Sequence, residues 1–195
     1  MARRMRRLRL LLLLALVGAV VAGCGNQHED TLAETEGISA ETEGIYLELG
    51  ELQYQVQISR QLNPQDTEDQ QFIKGRAIGE EPTEKETYFG VFVLVQNNTE
   101  DAHEIASTFE IEDTLGKTYS PELINPKENS FVYRAQRLEP GATYPARESP
   151  SGEGPIGGGM LLFKIPLDAF YNRPLEFKIH SPDDESVVGT VDLDV

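Results

Sequence analysis

Residues 87–97 read TYFGVFVLVQN, and this stretch decides the fold. It is apolar at successive positions and rich in β-branched and aromatic side chains. A strand of that composition is typical of the centre of a sheet that is covered on both faces. We therefore expect residues 87–97 to form the central strand of the protein.

The sequence before this strand alternates with a period of two. Residues 52–59 read LQYQVQIS, which places the apolar side chains on one face of a strand and the glutamines on the other, in water. Upstream, Ile45, Leu47 and Leu49 alternate in the opposite phase. The phase of the alternation changes at Gly50-Glu51. This change predicts a β-bulge there, which would return the apolar side chains to the same face of the strand.

Further strand candidates follow the central stretch, separated by turn signals rich in Gly, Pro and Asp. They read HEIASTFEIED, GKTYS, SFVYR, GGMLLFKI, PLEFKIH and VVGTVDLDV. One short helix of a turn or two is expected within residues 63–74. About eight short strands with few helical periods predict an all-β fold, an antiparallel β-sandwich of about seven to nine strands.

A family resemblance accompanies this pattern. It is carried by three groups of residues: Val91, Val93, Val95 and Asn97; then Phe109, Asp113, Gly116 and Tyr119; then Met160, Phe163, Ile165 and Pro166. Together they resemble the uncharacterised immunoglobulin-like domains of bacterial surface lipoproteins and secreted antigens. The resemblance implies an immunoglobulin-like sandwich displayed outside the membrane, with no catalytic residues to carry over. The chain has one cysteine and no tryptophan, so it departs from antibody-type domains.

The first residues have the form of a signal peptide. Five arginines lie within residues 3–9, and an unbroken apolar run extends over residues 10–22. A run of this length is well short of the roughly 20 residues that a helix needs to cross a bilayer. We therefore predict that residues 1–23 are a cleaved signal peptide.

The single cysteine of the chain, Cys24, directly follows that run. The stretch Val21-Ala22-Gly23-Cys24 resembles the lipobox of bacterial lipoproteins. The resemblance implies cleavage before Cys24, a diacylglycerol thioether on its sulfur, and a fatty acid such as palmitate on the new amino terminus. Two or more acyl chains anchor a protein stably. The predicted location is the extracytoplasmic face of the cell membrane; the alternative is an ordinary secreted protein with an incidental cysteine.

The charge balance excludes one class of partner. The net charge is −16, and residues 1–23 hold five of the 17 Lys and Arg but none of the 33 Asp and Glu. The remainder is strongly acidic and repels nucleic acid. Residues 24–44 are rich in Glu, Gly and Thr and are predicted to form a flexible acidic linker. Residues 45–195 are then the β-sandwich domain.

The sequence offers no arrangement typical of an enzyme. Beyond the linker the only histidines are His103 and His180, and no GxSxG motif occurs. Gly152, Gly154 and Gly157 have the GxGxxG spacing, but a strand-like segment follows them where a phosphate site requires a helix. We therefore predict a flexible glycine loop and a protein that is not an enzyme.

One segment of this acidic chain is instead rich in arginine and tyrosine. Residues 134–157 lack a clear strand pattern, and long segments of that kind are often functional. The candidate partner-binding residues in or beside it are Tyr133, Arg134, Arg137, Tyr144 and Arg147. Arginine and tyrosine are enriched at interface hot spots. The alternative is a mobile loop whose arginines pair with nearby acids. A second connection, residues 59–86, could lie at the same end of the sandwich.

The predicted function is that of a lipid-anchored binding or structural module that recognises another envelope component, expected to be a protein, through its long loops. The alternative is a calcium-dependent structural or adhesive domain. Hard cations prefer several oxygen ligands, which two groups of loop acids could supply. These are Glu100, Asp101 and Glu104, and Asp183, Asp184 and Glu185. Acids in such loops are also commonly just solvated.

Overall fold

A computed structural model describes residues 38–40, 42–76 and 81–195. The predicted signal peptide, the lipobox residues Val21, Ala22 and Gly23, and Cys24 lie outside the described residues. So does most of the predicted linker.

The central strand forms where it was predicted. It is β4 (Glu86–Gln96), and it lies between β3 (Leu52–Leu62) and β10 (Gly159–Pro166). The strand β2 (Tyr46–Leu49) pairs with the other edge of β3, and β9 (Thr143–Tyr144) pairs with the end of β4. All of these pairs are antiparallel.

A second sheet packs against the first. Its strands, in order, are β1 (Ile38–Ala40), β12 (Val188–Leu193), β11 (Leu175–His180), β6 (Phe109–Glu112) and β7 (Thr118–Tyr119). Only the β1–β12 pair, among these described strands, is parallel. The remaining elements are a small ladder of β5 (His103–Glu104) with β8 (Arg137–Leu138), the helices α1 (Thr67–Ile73) and α2 (Pro150–Glu153), and a 3-10 helix (Leu167–Tyr171).

The strand arrangement is that of an immunoglobulin-like sandwich. In that fold the strands A, B and E share one sheet, and C, F and G share the other. Here β3, β4 and β10 form the first group, while β6, β11 and β12 form the second. The predicted fold class is confirmed, and seven of the described strands have four residues or more.

Both faces of the central strand are buried, as its composition predicts. One face contributes Phe89, Val91, Val93 and Val95 to the core between the sheets. The opposite face contributes Tyr88 and Phe92 to a second, smaller core beneath α1. The helix begins at Asp66, whose carboxylate accepts hydrogen bonds from the backbone N–H groups of Glu68 and Asp69.

The predicted bulge at Gly50-Glu51 is wrong. These residues form a two-residue hairpin turn, in which Gly50 has a φ of +61° and Leu49 pairs with Leu52. A hairpin of this length shifts the apolar positions from odd to even numbers while keeping them on one face. The change of phase therefore marks a reversal of the chain. A register shift occurs instead between Val56 and Ile58.

The sandwich also begins earlier than residue 45. Ile38–Ala40 pair in register with Gly189, Thr190 and Val191, and Ala40 is buried. The next residues are held by long-range contacts, since the hydroxyl of Thr42 donates to Asp194 and the carboxylate of Glu43 accepts from Ser59. The end of the predicted linker is thus part of the domain. The Glu- and Gly-rich sequence of this segment does not indicate a strand. The three residues of β1 form one because they pair with β12.

A candidate binding surface at one end of the sandwich

The strands of both sheets run between two ends of the sandwich. We call these the Tyr171 end and the Asp183 end, after one residue in each. The Tyr171 end is formed by residues 81–86, 113–117 and 167–174. The Asp183 end is formed by the Gly50-Glu51 turn and by residues 97–102 and 181–187. Ile38 pairs with Gly189, near the start of β12, so the chain enters β1 from the Asp183 end.

Backbone hydrogen bonds join the three segments of the Tyr171 end. The N–H of Thr114 donates to the carbonyl of Asn172 over 3.1 Å. The N–H of Leu167 donates to the carbonyl of Lys85 over 2.8 Å. These bonds are made between segments distant in sequence, so the end is one connected surface.

The turn at residues 113–117 is organised by the buried carboxylate of Asp113. Its Oδ1 accepts from the N–H groups of Leu115 and Lys117, at 2.9 and 3.1 Å. Its Oδ2 accepts from the hydroxyl of Tyr119 at 3.1 Å. Burial acts to raise the pKa of Asp113, but the backbone and side-chain hydrogen bonds together hold that pKa below its usual value. The turn is therefore held by a charged side chain that is already satisfied internally.

Three large apolar side chains are nevertheless exposed at this end. Leu115 is 77% exposed, Tyr171 is 89% exposed and Leu167 is 41% exposed. The 3-10 helix buries Ala169 and packs Phe170 against Phe89, with ring centroids 5.6 Å apart. Leu167 and Tyr171, the first and last residues of the same helix, remain exposed. A group of exposed apolar side chains of this kind is typical of a binding surface.

A groove of 530 Å³ opens between two of the segments. Pro166, Leu167 and Tyr171 form an apolar part of its lining. Thr83 and four charged residues complete it: Glu84, Lys85, Glu86 and Asp168. A groove that combines an apolar wall with polar and charged groups can bind and orient a ligand.

The structure buries the two tyrosines that were predicted to bind a partner. Tyr133 and Tyr144 are buried, and their rings pack edge-on with centroids 5.0 Å apart. The hydroxyl of Tyr133 donates to the carbonyl of Ala106 at 2.9 Å, and that of Tyr144 accepts from the N–H of Arg134 at 2.6 Å. Both rings belong to the core between the sheets, and Tyr133 also lines a groove of 410 Å³.

The three predicted arginines are exposed, but two have partners within the chain. The guanidinium of Arg134 donates to the carbonyls of Pro126 and Asn129. Arg137 lies 3.8 Å from the carboxylate of Glu104, with both side chains 58% exposed. Of these two, Arg137 matches the alternative in which the arginines pair with nearby acids, whereas Arg134 bonds to backbone carbonyls. An exposed ion pair of this kind contributes little to stability. Arg147 lies on the surface.

The two long connections lie at different places. Residues 134–157 pair with His103–Glu104 and Val95–Gln96 toward the Asp183 end. Residues 59–86 finish β3, form α1 and return at the Tyr171 end. The predicted common end is therefore wrong.

The two groups of acids are not gathered into metal sites. Within the described part of the chain, no three His, Cys, Asp or Glu side chains come together as metal ligands. Glu104 instead lies beside Arg137. Asp184 accepts hydrogen bonds from the hydroxyl and N–H of Ser186, at 2.6 and 2.9 Å, and these bonds lower its pKa.

The glycine segment is closely packed, contrary to the predicted flexible loop. Gly152 lies in α2, and a Cβ there would overlap the carbonyl oxygen of Ala146. A Cβ on Gly159 would lie 2.7 Å from the ring of Tyr144. These glycines allow close approach of neighbouring groups.

Sequence reasoning missed Leu115, Leu167 and Tyr171. A signal was present, because each is a large apolar residue in or next to a turn, in TLGK, PLD and YNRP. Turn positions are usually filled by small or polar residues. An apolar side chain there is either buried by tertiary contacts or left exposed, and only the structure distinguishes the two.

The fold is an immunoglobulin-like sandwich, and a candidate binding surface with exposed apolar side chains lies at its Tyr171 end. No protein-family model and no curated protein matches the chain. Solved structures that are similar at low identity include the following three. The yjhA protein from Bacillus subtilis has 12% identity over 80% of this chain and 100% of that one, with a TM-score of 0.49.

The second is an uncharacterised β-sandwich protein from Clostridium difficile 630, with 11% identity over 85% of this chain and 100% of that one, and a TM-score of 0.47. The third is named a putative lipoprotein, ycdA, from Bacillus subtilis, with 12% identity over 78% of this chain and 39% of that one, and a TM-score of 0.46. None of the helices in the described residues is long and apolar enough to cross a membrane.

Proposed function

We propose that this protein is a non-catalytic binding module, anchored by lipid at Cys24 on the extracytoplasmic face of the membrane. It recognises another envelope protein through the Tyr171 end. The observation that carries the proposal is the group of exposed apolar side chains, Leu115, Leu167 and Tyr171, beside a 530 Å³ groove.

The direction of the chain supports this choice of surface. The chain enters the sandwich from the Asp183 end, and the 11 residues of β4 run from one end toward the other. At about 3.3 Å per residue that strand spans about 35 Å. Ile38, where the described chain enters the sandwich, therefore lies at the end opposite Tyr171, and a partner bound at the Tyr171 end does not compete with the start of β1.

The rigidity of the surface also supports it. Asp113 and the bond between Thr114 and Asn172 hold the two turns that display Leu115 and Tyr171. A surface that is ordered before binding loses little conformational entropy when a partner arrives. Tyrosine is also among the residues most enriched at interface hot spots.

The test is cross-linking in intact native cells, followed by capture of the tagged full-length protein. We expect one dominant partner with the native chain. Tyr171→Ser combined with Leu115→Ser should abolish its capture and leave the melting temperature unchanged. Leu123→Ser is the matched control, because Leu123 is 91% exposed but lies away from the Tyr171 end. An equal yield of partner from the double variant would overturn the role of this end.

Two further variants separate the parts of the proposal. Cys24→Ser should move the protein out of the membrane fraction, and retention there would overturn the lipid anchor. Arg134→Ala with Arg137→Ala tests the arginines of the long loop, and we expect capture to persist in that variant. Loss of capture with those arginines alone would transfer the binding role to residues 134–157.

A further inference from the structure

We propose that this protein carries a second binding surface, for a neutral polysaccharide, on the outer face of the sheet that contains β3. The surface, which we call the amide face, consists of Tyr46, Gln53, Gln55, Gln57, Gln96 and Asn98. It lies on a side of the sandwich distinct from the Tyr171 end. The proposal is independent of the function assigned to that end.

Cross-strand register brings these residues onto one surface. Tyr46 pairs with Gln55, and Gln53 pairs with Gln96. Neighbouring strands lie about 4.8 Å apart, and alternate residues along a strand lie about 7 Å apart. The sheet therefore presents polar groups as a two-dimensional array, which suits a ligand that carries hydroxyl groups at regular intervals.

Hydrogen bonds hold the amides in place. Asn98 Nδ2 donates to Gln53 Oε1 at 2.8 Å, and Gln96 Nε2 donates to the hydroxyl of Tyr46 at 2.8 Å. Gln57 donates to the side-chain oxygen of Gln55. Gln53 Nε2 also donates to Glu48 Oε1 at 3.4 Å, and Gln55 Nε2 donates to the carbonyl of Gly44. Each amide has two N–H donors and an oxygen with two lone pairs, so each keeps at least one donor and one lone pair beyond these bonds. The array is thus ordered while it keeps donors and acceptors for a ligand.

The amide face also offers apolar contact. Tyr46 is 44% exposed, and Ile58, next to Gln57, is 37% exposed. Leu94 pairs with Gln55 and is half-buried between the amides. The C–H face of a pyranose ring packs on such side chains while its hydroxyl groups bond to amides.

Charge identifies the kind of occupant. The six residues of the amide face are uncharged in a chain whose net charge is −16, and one carboxylate lies among them: Glu48 pairs with Gln53 and accepts a hydrogen bond from it at 3.4 Å. A cationic partner would find more acids elsewhere on the surface, and an anionic one would be repelled. A neutral, hydroxyl-rich chain meets no electrostatic penalty here.

The rest of the same sheet face is apolar and differs from the amide face in being covered. Where its residues are apolar, as at Leu62, Tyr88 and Phe92, α1 covers them with Phe72 and Ile73. Where its residues are amides, no described helix covers them, and their side chains are half-buried or exposed. The apolar half of this sheet face is thus covered by α1, whereas the half that carries the amides is polar and is not covered by a described helix.

The experiment is sedimentation of the full-length protein in detergent with insoluble cellulose, chitin or mannan. We expect retention by at least one of these neutral polysaccharides, and no competition by the anionic polygalacturonate. Gln53→Ala combined with Gln55→Ala should weaken retention at least tenfold, and so should Tyr46→Ala. Gln61→Ala is the matched control, because Gln61 is exposed on the same strand but outside the amide face. All variants should melt at the temperature of the native chain.

Three results would overturn the proposal. The first is no retention by any of the three neutral polysaccharides. The second is equal retention of the Gln53→Ala, Gln55→Ala variant. The third is a dimer, seen by light scattering, that the same double variant dissociates, because the occupant of the face would then be a second copy of the chain. Tyr171→Ser with Leu115→Ser should leave retention unchanged, which separates this site from the protein-binding end.

Discussion

The hydroxyl of Tyr119 donates a hydrogen bond of 3.1 Å to Oδ2 of Asp113, and both side chains are buried. The carboxylate thereby fastens β7 to the turn that displays Leu115. Burial and the bond to Asp113 raise the pKa of Tyr119 to about 12, so the phenol stays protonated and donates at any physiological pH.

Asp113→Ala should destabilise the domain. The change leaves the hydroxyl of Tyr119 and the N–H groups of Leu115 and Lys117 without their acceptor. An unsatisfied buried polar group costs about 1–3 kcal/mol, so we expect a loss of about 2–3 kcal/mol in the free energy of unfolding. Denaturant unfolding measures it. Asp168→Ala, an exposed acid at the same end, is the control and should change stability by less than about 0.5 kcal/mol.

The same carboxylate predicts a pH dependence. The pKa of Asp113 is lower in the folded protein than in the unfolded chain. Its contribution to stability is therefore complete above the unfolded value of about 4, and it is lost as the pH falls through the lower, folded value. The melting temperature of the native chain should fall more steeply below about pH 4 than that of Asp113→Ala. Parallel curves for the two proteins would contradict this assignment.

Gly152→Ala should be destabilising, whereas Gly157→Ala should be tolerated. A methyl group at Gly152 meets the backbone carbonyls of Ala146 and Arg147, which cannot move independently. We expect a loss of about 1–3 kcal/mol, as for other overpacked sites. At Gly157 the nearest atom to a Cβ is 3.7 Å away, an ordinary contact, and φ is not positive there. Thermal melts that coincide for the two variants would show that the segment is as flexible as its composition suggests.

Tyr133→Phe tests whether this ring belongs to the core. The change keeps the packing against Phe109 and Tyr144 but removes the hydroxyl that donates to Ala106. The loss of one buried hydrogen bond should lower the free energy of unfolding by about 1 kcal/mol. Tyr171→Phe, at an exposed position, should have no measurable effect. If Tyr133→Phe left stability unchanged and reduced partner capture, the ring would belong to an interface.

Much of the fold could be predicted because strand patterns are local. The apolar run at residues 87–97 and the alternation at residues 52–59 appear in the structure as β4 and β3. The short strand Ile38–Ala40 could not be recognised, since its stability comes from pairing with β12, about 150 residues away. Short strands of that kind have little pattern of their own.

The candidate site was harder to predict than the fold. The arginines and tyrosines near residues 134–147 have the composition of an interface, but composition does not determine which side chains the fold encloses. The outward glutamines at 53, 55 and 57 were correctly expected to face water. Their assembly with Gln96, Asn98 and Tyr46 depends on register between strands.

By itself, the sequence determined the all-β class and the central strand, because the faces that a strand buries are set by the period of its own side chains. Tertiary structure alone decided which turn residues are accessible. Tyr133 and Tyr171 both lie outside the strands, yet Tyr133 is buried between Phe109 and Tyr144, while Tyr171 is left in solvent. The physical reason is that the burial of a turn residue depends on neighbours that are remote in sequence.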